Sequence, residues 1–325
     1  MKVSKAFMRT LIAGVLLAFA AAAPAQQNYP NKHIRLISPY APGGGNSLMA
    51  RLVGEKLTES WGRQVIVDNR PGGNTIIGTA AAAKATPDGY TMLLAGSSHV
   101  IVPLAIDTPY HPIRDFAAIG TIAKYEQILV VNPSLPAKTL QEFIALAKSR
   151  PGQLNYVTFG SGSSSHLAME LLSMNTGIRM QHIPHKGTGP ALTDVIGGHA
   201  DAFLSTPSAA IPHIRSGRLR ALAVSGQARS PAVPDVPSFS EAGMPGFEVR
   251  SWYGLVAPGG TPKPIVDKVS AELARIVSST EMRDKLSTQG VEPYVNSAEA
   301  YTALLKSDMA KWAKVIKAAN IKLEN

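Results

Sequence analysis

The fold of this chain is organised around one glycine-rich stretch, SPYAPGGGNS, at Ser38–Ser47. An apolar run at Ile34–Ser38 precedes it and an amphipathic stretch at Leu48–Glu59 follows, which predicts a strand, a glycine turn and a helix capped by Asn46 or Ser47. Consecutive glycines permit positive φ and a close approach to a ligand. Because the first N–H groups of a helix attract anions, we expect an anion cradle here.

A second stretch, FGSGSSSH at Phe159–His166, has the same design and precedes another predicted helix. Its hydroxyl and backbone N–H groups suit a carboxylate, which accepts charge-assisted hydrogen bonds. The alternative is a helix cap followed by a flexible turn. Four serines exceed what one cap needs, so the pattern favours a second anion cradle facing the first.

The first residues have the pattern of a secretory signal peptide. A positive region at residues 2–9 precedes an apolar run at Leu11–Ala23 and a small-x-small cleavage site at Ala23–Ala25. Such a segment is too short for an ordinary transmembrane span, although an uncleaved membrane anchor is the competing interpretation. We therefore expect residues 1–25 to be removed and the mature protein to be soluble in the periplasm.

Composition excludes several function classes. The chain has no cysteine, so disulfides, thiol chemistry and a lipid-attachment cysteine are excluded. Removing the three basic residues of the leader from a formal net charge of +10 leaves +7. The basic residues are scattered, which argues against a nucleic-acid partner. A positive field attracts small anions, but an ordinary solvated basic surface fits equally well.

The order of predicted elements indicates an α/β protein with two doubly wound domains joined by two hinge strands. Strands and helices alternate, which predicts parallel sheets with crossover helices. We place domain 1 at residues 26–125 plus 249–325 and domain 2 at residues 126–248. Residues 229–247 are rich in Pro, Ser and Gly and predict a long surface connection. The cleft between the domains is the expected ligand site.

Known catalytic and cofactor motifs are absent. The glycines at 43–45 lack the third glycine of a dinucleotide fingerprint and the lysine of a P-loop. No Gly-x-Ser-x-Gly elbow surrounds Ser161 or Ser97, and no His-Glu-x-x-His is present. We expect no cofactor, no metal and no catalytic residue. An exported hydrolase that uses Ser161 and a histidine remains the alternative.

Further candidates follow other predicted strands. His185 and Lys186 offer cationic donors after one strand of the second domain, and Ser205 and Thr206 follow another. The full set of expected ligand-binding residues is Ala41, Gly44, Gly45, Asn46, Ser47, Ser98, His99, Ser161, Ser164, Ser165, His185, Lys186, Ser205 and Thr206.

Many short segments along the mature chain together resemble the Bug-type extracytoplasmic solute receptors, the TctC-like binding components of tripartite tricarboxylate transporters. The matching segments are PYAPGGG (39–45), VDNRPG (67–72), PDGYT (87–91), NPSLPAKT (132–139), SSSHLA (163–168), PALTD (190–194), LRALAV (219–224), DVPS (235–238) and SWYGLVAP (251–258). The resemblance implies a monomeric two-domain periplasmic binding protein of type II, with the Venus-flytrap arrangement, that closes on a small carboxylate. It implies that the two glycine loops hold the ligand and that a membrane permease receives it.

Two departures from the family pattern bear on the ligand. Many members carry Thr-Asp where this chain has Asn46-Ser47, and many carry Asp where it has Ser205. A cleft with fewer acids suits a ligand without a positive charge, so we expect a dicarboxylate, with aromatic acids such as terephthalate included. A sensor that signals to a membrane kinase uses the same clamp and stays open as an alternative.

Overall fold

The computed structural model describes residues 29–318, so the expected signal peptide at residues 1–25 lies outside the described residues. The strands are β1 (Ile34–Ser38), β2 (Val65–Asn69), β3 (Thr91–Gly96), β4 (Phe116–Glu126), β5 (Ile128–Val131), β6 (Asn155–Thr158), β7 (Gln181–Pro184), β8 (Ala202–Ser205), β9 (Arg220–Val224), β10 (Arg250–Pro258) and β11 (Glu292–Pro293).

Helices cover the faces of the sheets. They are α1 (Gly45–Trp61), α2 (Ile76–Ala83), α3 (Ser98–Ile101), α4 (Leu140–Ser149), α5 (Ser164–Thr176), α6 (Thr188–Gly197), α7 (Pro207–Arg215), α8 (Lys263–Ser278), α9 (Thr280–Thr288) and α10 (Ala298–Ala318), with a short 3₁₀ helix at Val102–Leu104. Within residues 29–318, none of these helices combines the length and apolar character that crossing a bilayer requires.

The strands form two sheets, which confirms the predicted two-domain α/β class. The six-stranded sheet has the order β11-β4-β10-β3-β1-β2, and the five-stranded sheet has the order β7-β6-β8-β5-β9. Both sheets are mixed, because β10 runs antiparallel to β3 and β4, and β5 runs antiparallel to β8 and β9. The predicted parallel pairing holds for β1 with β2 and β3 and for β6 with β7 and β8. Each hinge strand enters its sheet from the other domain's side and therefore runs against its neighbours.

Two predicted local features also differ. Helix α1 begins at Gly45 with Gly44 as its N-cap, so Asn46 and Ser47 lie inside the first turn and do not cap it. The predicted surface connection at residues 229–247 buries part of its length, since Phe239 is fully buried and stacks on Phe247 at 4.3 Å between ring centroids. The apolar side chains in this segment outweigh its turn-forming composition.

The chain passes between the sheets at two adjacent points. Gln127 separates β4 from β5 and is fully buried. Its main-chain N–H donates to the Ser225 hydroxyl at 2.8 Å, and that hydroxyl donates to the carbonyl of Val249 at 2.8 Å. The Gln127 amide also donates to the Ser164 hydroxyl at 2.8 Å. The outgoing and returning segments are therefore tied to each other and to the start of α5.

Candidate functional site

A narrow cavity with about 20 Å³ of free volume lies between the two sheets. It is at the carboxyl ends of parallel strands from both sheets, where open α/β sheets bind ligands. Its lining residues carry no charged side chain and are Tyr40, Gly44, Asn46, Gly96, Ser97, Ser98, Tyr125, Phe159, Ser164, Thr188, Thr206 and Tyr253.

Four helices begin at this cavity. Gly44 and Thr206 are the N-cap residues of α1 and α7, and Ser164 and Thr188 are the first residues of α5 and α6. None of these four helices has an acidic residue in its first turn, whereas α4, α9 and α10 each have a glutamate there. The partial positive charges of the four helix ends therefore stay available to an anion in the cavity.

Several buried hydroxyl groups around the cavity have no hydrogen-bond partner. They belong to Ser97, Ser98, Thr206, Tyr253 and the neighbouring Ser208. A buried polar group without a partner costs about 1–3 kcal/mol. A set of such groups around one cavity can form hydrogen bonds with a polar ligand or with water.

Aromatic side chains form the rest of the wall. Tyr125 stacks on Tyr253 with ring centroids 4.7 Å apart, and Tyr40 meets Phe159 edge-to-face at 5.9 Å. Burial raises the pKa of Tyr125 to about 12 and raises the pKa values of Tyr40 and Tyr253 above their ordinary value. All three phenols are therefore neutral at physiological pH and can donate hydrogen bonds to an anion.

Gly45 brings the two halves together at the start of α1. A Cβ atom at this position would lie 2.7 Å from the Ser208 hydroxyl and 2.9 Å from the Thr206 hydroxyl, closer than real Cβ contacts. The absence of a side chain lets the α1 terminus approach the α7 terminus. Gly45 has a helical backbone conformation, so the glycine serves the close approach of the two helix ends and not a positive φ.

Five of the residues expected from the sequence line the cavity: Gly44, Asn46, Ser98, Ser164 and Thr206. Asn46 is held by the Ser38 hydroxyl, which donates to its Oδ1 at 2.8 Å, and by its own amide, which donates to the carbonyl of Leu94 at 3.1 Å. The Ser164 hydroxyl accepts from Ser251 at 3.1 Å. These contacts fix the side chains before any ligand enters.

Other expected residues lie just behind the cavity wall. The Ser47 hydroxyl accepts from the Asn69 amide at 3.0 Å, Ser165 lies 3.1 Å from the Ser163 hydroxyl, and the Ser205 hydroxyl donates to the carbonyl of Thr206. The main-chain N–H groups of Ala41 and Ser161 are also engaged, the first with the carbonyl of Lys186 and the second with Asn74.

Three expected residues lie farther out. His99 is buried against Tyr110 and Phe116, and one of its ring nitrogens lies 2.8 Å from the carbonyl of Pro112. His185 pairs with Asp194 at 3.0 Å. Lys186 is exposed, and both it and His185 line a separate outer pocket together with residues 72–75.

Sequence reasoning missed the aromatic wall and Thr188. Tyr40 stands inside the opening glycine stretch, and Thr188 stands between two glycines before a helix, so the same motif logic could have found both. Tyr125 and Tyr253 had no such signal. They reach the cavity only because β4 and β10 pair side by side, with Ala123 opposite Tyr253.

The serines of the second loop are not arranged for nucleophilic catalysis. Within residues 29–318, no serine hydroxyl forms a hydrogen bond with a histidine ring. The His166 Nδ1 instead accepts from the main-chain N–H of Gly162 at 3.2 Å. The part of the chain that the structure describes also has no cluster of three His, Cys, Asp or Glu side chains suited to a metal ion.

Comparisons with known proteins identify the family. The profile described as "Tripartite tricarboxylate transporter family receptor" matches residues 49–321. The chain belongs to this receptor family. It is 34% identical to Protein BugT of Bordetella pertussis over 321 residues, covering 96% of this chain and 98% of that protein.

Two solved structures similar to this chain contain carboxylates. The protein Rpa4515 of R. palustris with adipate has a TM-score of 0.88 and 32% identity, covering 90% of this chain and 99% of that one. MatC (Rpa3494) from Rhodopseudomonas palustris with bound malate has a TM-score of 0.83 and 30% identity, covering 89% and 100%. The chain is therefore a solute-binding receptor with the type II fold of periplasmic binding proteins.

Proposed function

We propose that this receptor captures a small organic dicarboxylate in the cavity between its two domains and delivers it to a membrane permease of the tripartite tricarboxylate type. The domains are residues 26–125 plus 249–325 and residues 126–248. The protein acts as a monomer in the periplasm after removal of residues 1–25. Binding and hinge closure are its whole activity, with no chemical step.

The observation that carries the proposal is the convergence of four helix N-termini on a cavity whose lining has no charged side chain. Each hydrogen bond to a charged group contributes about 1.5–3 kcal/mol. Helix ends and neutral hydroxyls contributed by both halves therefore support a ligand with more than one anionic group. The carboxylate-bound relatives support the same ligand class.

The aromatic wall and the absence of acidic side chains from the cavity lining restrict the expected ligand class further. Tyr40, Phe159 and the Tyr125–Tyr253 stack offer apolar faces to the same cavity. An ammonium group would find no carboxylate among the lining residues. The ligand class is therefore a di-acid with an aliphatic or aromatic body, and amino acids are disfavoured.

A thermal-shift screen of residues 26–325 tests this proposal. The panel contains succinate, malate, adipate, citrate, terephthalate, benzoate and aspartate, with the diamide of each di-acid as an uncharged control. A ligand at about 100 times its Kd stabilises the folded protein by about 2.7 kcal/mol, which raises the melting temperature. We expect a shift with one class of di-acid and none with its diamide.

Two outcomes would contradict the proposal. One is an equal increase in melting temperature with the acid and with its diamide, which would mean that the helix ends do not distinguish a charged ligand from an uncharged one. The other is a shift confined to aspartate, which would mean that the cavity accepts an ammonium group.

A further inference from the structure

Besides the bonds near the hinge, such as the one from Ser251 to Ser164, two direct hydrogen bonds join the two halves of the described chain beside the cavity. The Ala41 main-chain N–H donates to the carbonyl of Lys186 at 2.9 Å. The Ser161 main-chain N–H donates to the Asn74 Oδ1 at 3.0 Å. Ala41 and Asn74 belong to segments flanking the six-stranded sheet, and Lys186 and Ser161 to segments flanking the five-stranded sheet. The protein thus contributes to its own closure without a ligand atom.

The segment that presents Asn74 has an unusual backbone. Gly72, Gly73, Asn74 and Thr75 have φ values of 117°, 53°, 52° and 78°. A positive φ is rare for a β-branched residue such as Thr75, while Asn tolerates it. Such strain persists only where surrounding structure holds it, and it is concentrated at functional sites.

Thr75 also destabilises this turn through its unpartnered side-chain hydroxyl. It is 6% exposed, and its hydroxyl has no hydrogen-bond partner. As the N-cap of α2 it makes no side-chain capping bond. The turn at residues 72–75 is therefore not optimised for local stability, and its geometry serves to aim Asn74 at the second glycine loop.

The contact on the Ala41 side is made by backbone alone. A Cβ at Gly187 would lie 3.1 Å from the Ala41 nitrogen, and a Cβ at Gly189 would lie 2.5 Å from the carbonyl oxygen of Pro42. No side chain mediates this bond, so a substitution cannot remove it cleanly. The Asn74 contact uses a side-chain acceptor and can be removed.

We propose that Asn74 is a positioning residue that sets the equilibrium between the open and closed forms. Its side chain stabilises the closed form of the ligand-free protein, so part of the closing free energy is independent of ligand. The N–H groups of Ala41 and Ser161 then serve closure and leave ligand contacts to the residues that line the cavity. The proposal rests on the proposed function for its purpose, but its test needs no ligand.

The test measures the ligand-free ratio of closed to open molecules by single-molecule energy transfer. The chain has no cysteine, so Glu55→Cys and Asn175→Cys at exposed positions give one dye site in each domain. Asn74→Gly removes the acceptor oxygen, and glycine tolerates the positive φ. Asn74→Ala removes the same acceptor oxygen but keeps a Cβ atom. Asn74→Asp keeps an acceptor oxygen. Asn31→Ala is the matched control, since Asn31 bonds Tyr90 at the surface.

Loss of one neutral hydrogen bond is expected to lower the closed-to-open ratio roughly 2- to 10-fold. We expect this drop in Asn74→Gly and Asn74→Ala, a ratio at or above that of the unsubstituted protein in Asn74→Asp, and no change in Asn31→Ala. An unchanged ratio in Asn74→Gly would overturn the proposal. So would an Asn74→Asp ratio as low as that of Asn74→Gly, or a ligand-free protein with no closed molecules. None of these results depends on which acid binds.

Discussion

Thr206 and Thr121 are both buried threonines, but only one hydroxyl has a partner. The Thr121 hydroxyl donates to the carbonyl of Tyr294, whereas the Thr206 hydroxyl at the cavity has no partner. A buried hydroxyl that lacks its hydrogen bond lowers the stability of the folded state and does not add to it. It gains a bond only when a ligand supplies the acceptor. Substituting Thr206 should therefore change ligand affinity, whereas substituting Thr121 should change the free energy of unfolding.

We expect Thr206→Val to weaken binding of the di-acid with the largest thermal shift by about tenfold or more. The melting temperature of the ligand-free protein should not fall, because no existing bond is lost. Calorimetric titration and thermal unfolding measure the two effects. Thr121→Val is the control, and it should lower the free energy of unfolding by about 1–3 kcal/mol with unchanged affinity. A destabilised Thr206→Val with normal affinity would contradict the assignment.

A stacked histidine pair stands behind the second glycine loop. His166 and His182 lie 3.9 Å apart between ring centroids, and the His182 Nε2 is 2.7 Å from the Thr158 hydroxyl. Burial, with a smaller contribution from the neighbouring His182, lowers the pKa of His166 to about 3. Burial, with a smaller contribution from His185, lowers the pKa of His182 to about 4.

These lowered pKa values make the protein less stable in mild acid. Above the unfolded-state pKa of about 6.5 both states are neutral and the effect vanishes. As the pH falls below about 6.5, the unfolded chain takes up protons that the folded protein does not, so the free energy of unfolding decreases by up to about 1.4 kcal/mol per pH unit for each proton. The decrease continues until the pH reaches the folded-state values of about 3 and about 4.

Urea unfolding at pH 7, 6 and 5 measures this slope. His182→Phe keeps the ring stack and removes one titrating group. We expect this variant to show a smaller decrease in the free energy of unfolding with falling pH. His33→Gln at an exposed position is the control and should leave it unchanged. Equal slopes in His182→Phe and the unsubstituted protein would show that the pair does not control acid stability.

Residue types predicted some of the site and missed other parts. Gly44 and Ser164 were found because glycine and serine before a helix mark an anion cradle. His99 was expected near the ligand because it follows a strand, but its ring turns into the pocket formed by Tyr110 and Phe116. The direction of a side chain depends on packing partners far away in sequence, and local pattern cannot supply it.

At the scale of elements, four helix N-termini act together on one cavity. The acid-free first turns of α1, α5, α6 and α7 keep their partial positive charges available to a bound anion. An acidic side chain at one of these ends would take the place of the ligand's charge. The same acid would stabilise the helix itself, so binding and stability should respond in opposite directions.

Thr188, the first residue of α6, tests this at one helix end. We expect Thr188→Asp to weaken binding of the di-acid at least tenfold more than Thr188→Asn, which has the same shape without the charge. The ligand-free melting temperature of Thr188→Asp should equal or exceed that of Thr188→Asn, because an acid is favourable at a helix N-terminus. Titrations at low salt compare the affinities. Equal affinities of the two variants would contradict a role for the helix ends in binding.

Most element boundaries could be read from apolar periodicity and glycine or proline punctuation. The strand pairing could not, because β10 is apolar along its length and its sequence does not reveal which neighbours it joins or in which direction. Its place between β3 and β4 depends on the chain returning from the second sheet. This topology brings Tyr125 and Tyr253 to the cavity, so the missed topology also explains the missed aromatic wall.

At the scale of the whole molecule, the two sheets enclose a cavity that neither sheet forms alone. Gly44 and Asn46 come from one half, and Ser164, Thr188 and Thr206 come from the other. A ligand that contacts both halves stabilises the closed form by its contacts with the second half. The alternation of strands and helices predicted the two-domain class, because that class depends on the order of elements and not on single side chains.

The measurement that tests the central claim most directly is a crystal structure of residues 26–325 with the acid that gives the largest thermal shift. The account predicts a carboxylate oxygen within about 2.7–3.1 Å of main-chain N–H groups at the starts of α1 and α5. It also predicts the second acidic group near Thr188 or Thr206. An acid bound at Lys186 in the outer pocket with the cavity left without it would contradict the account.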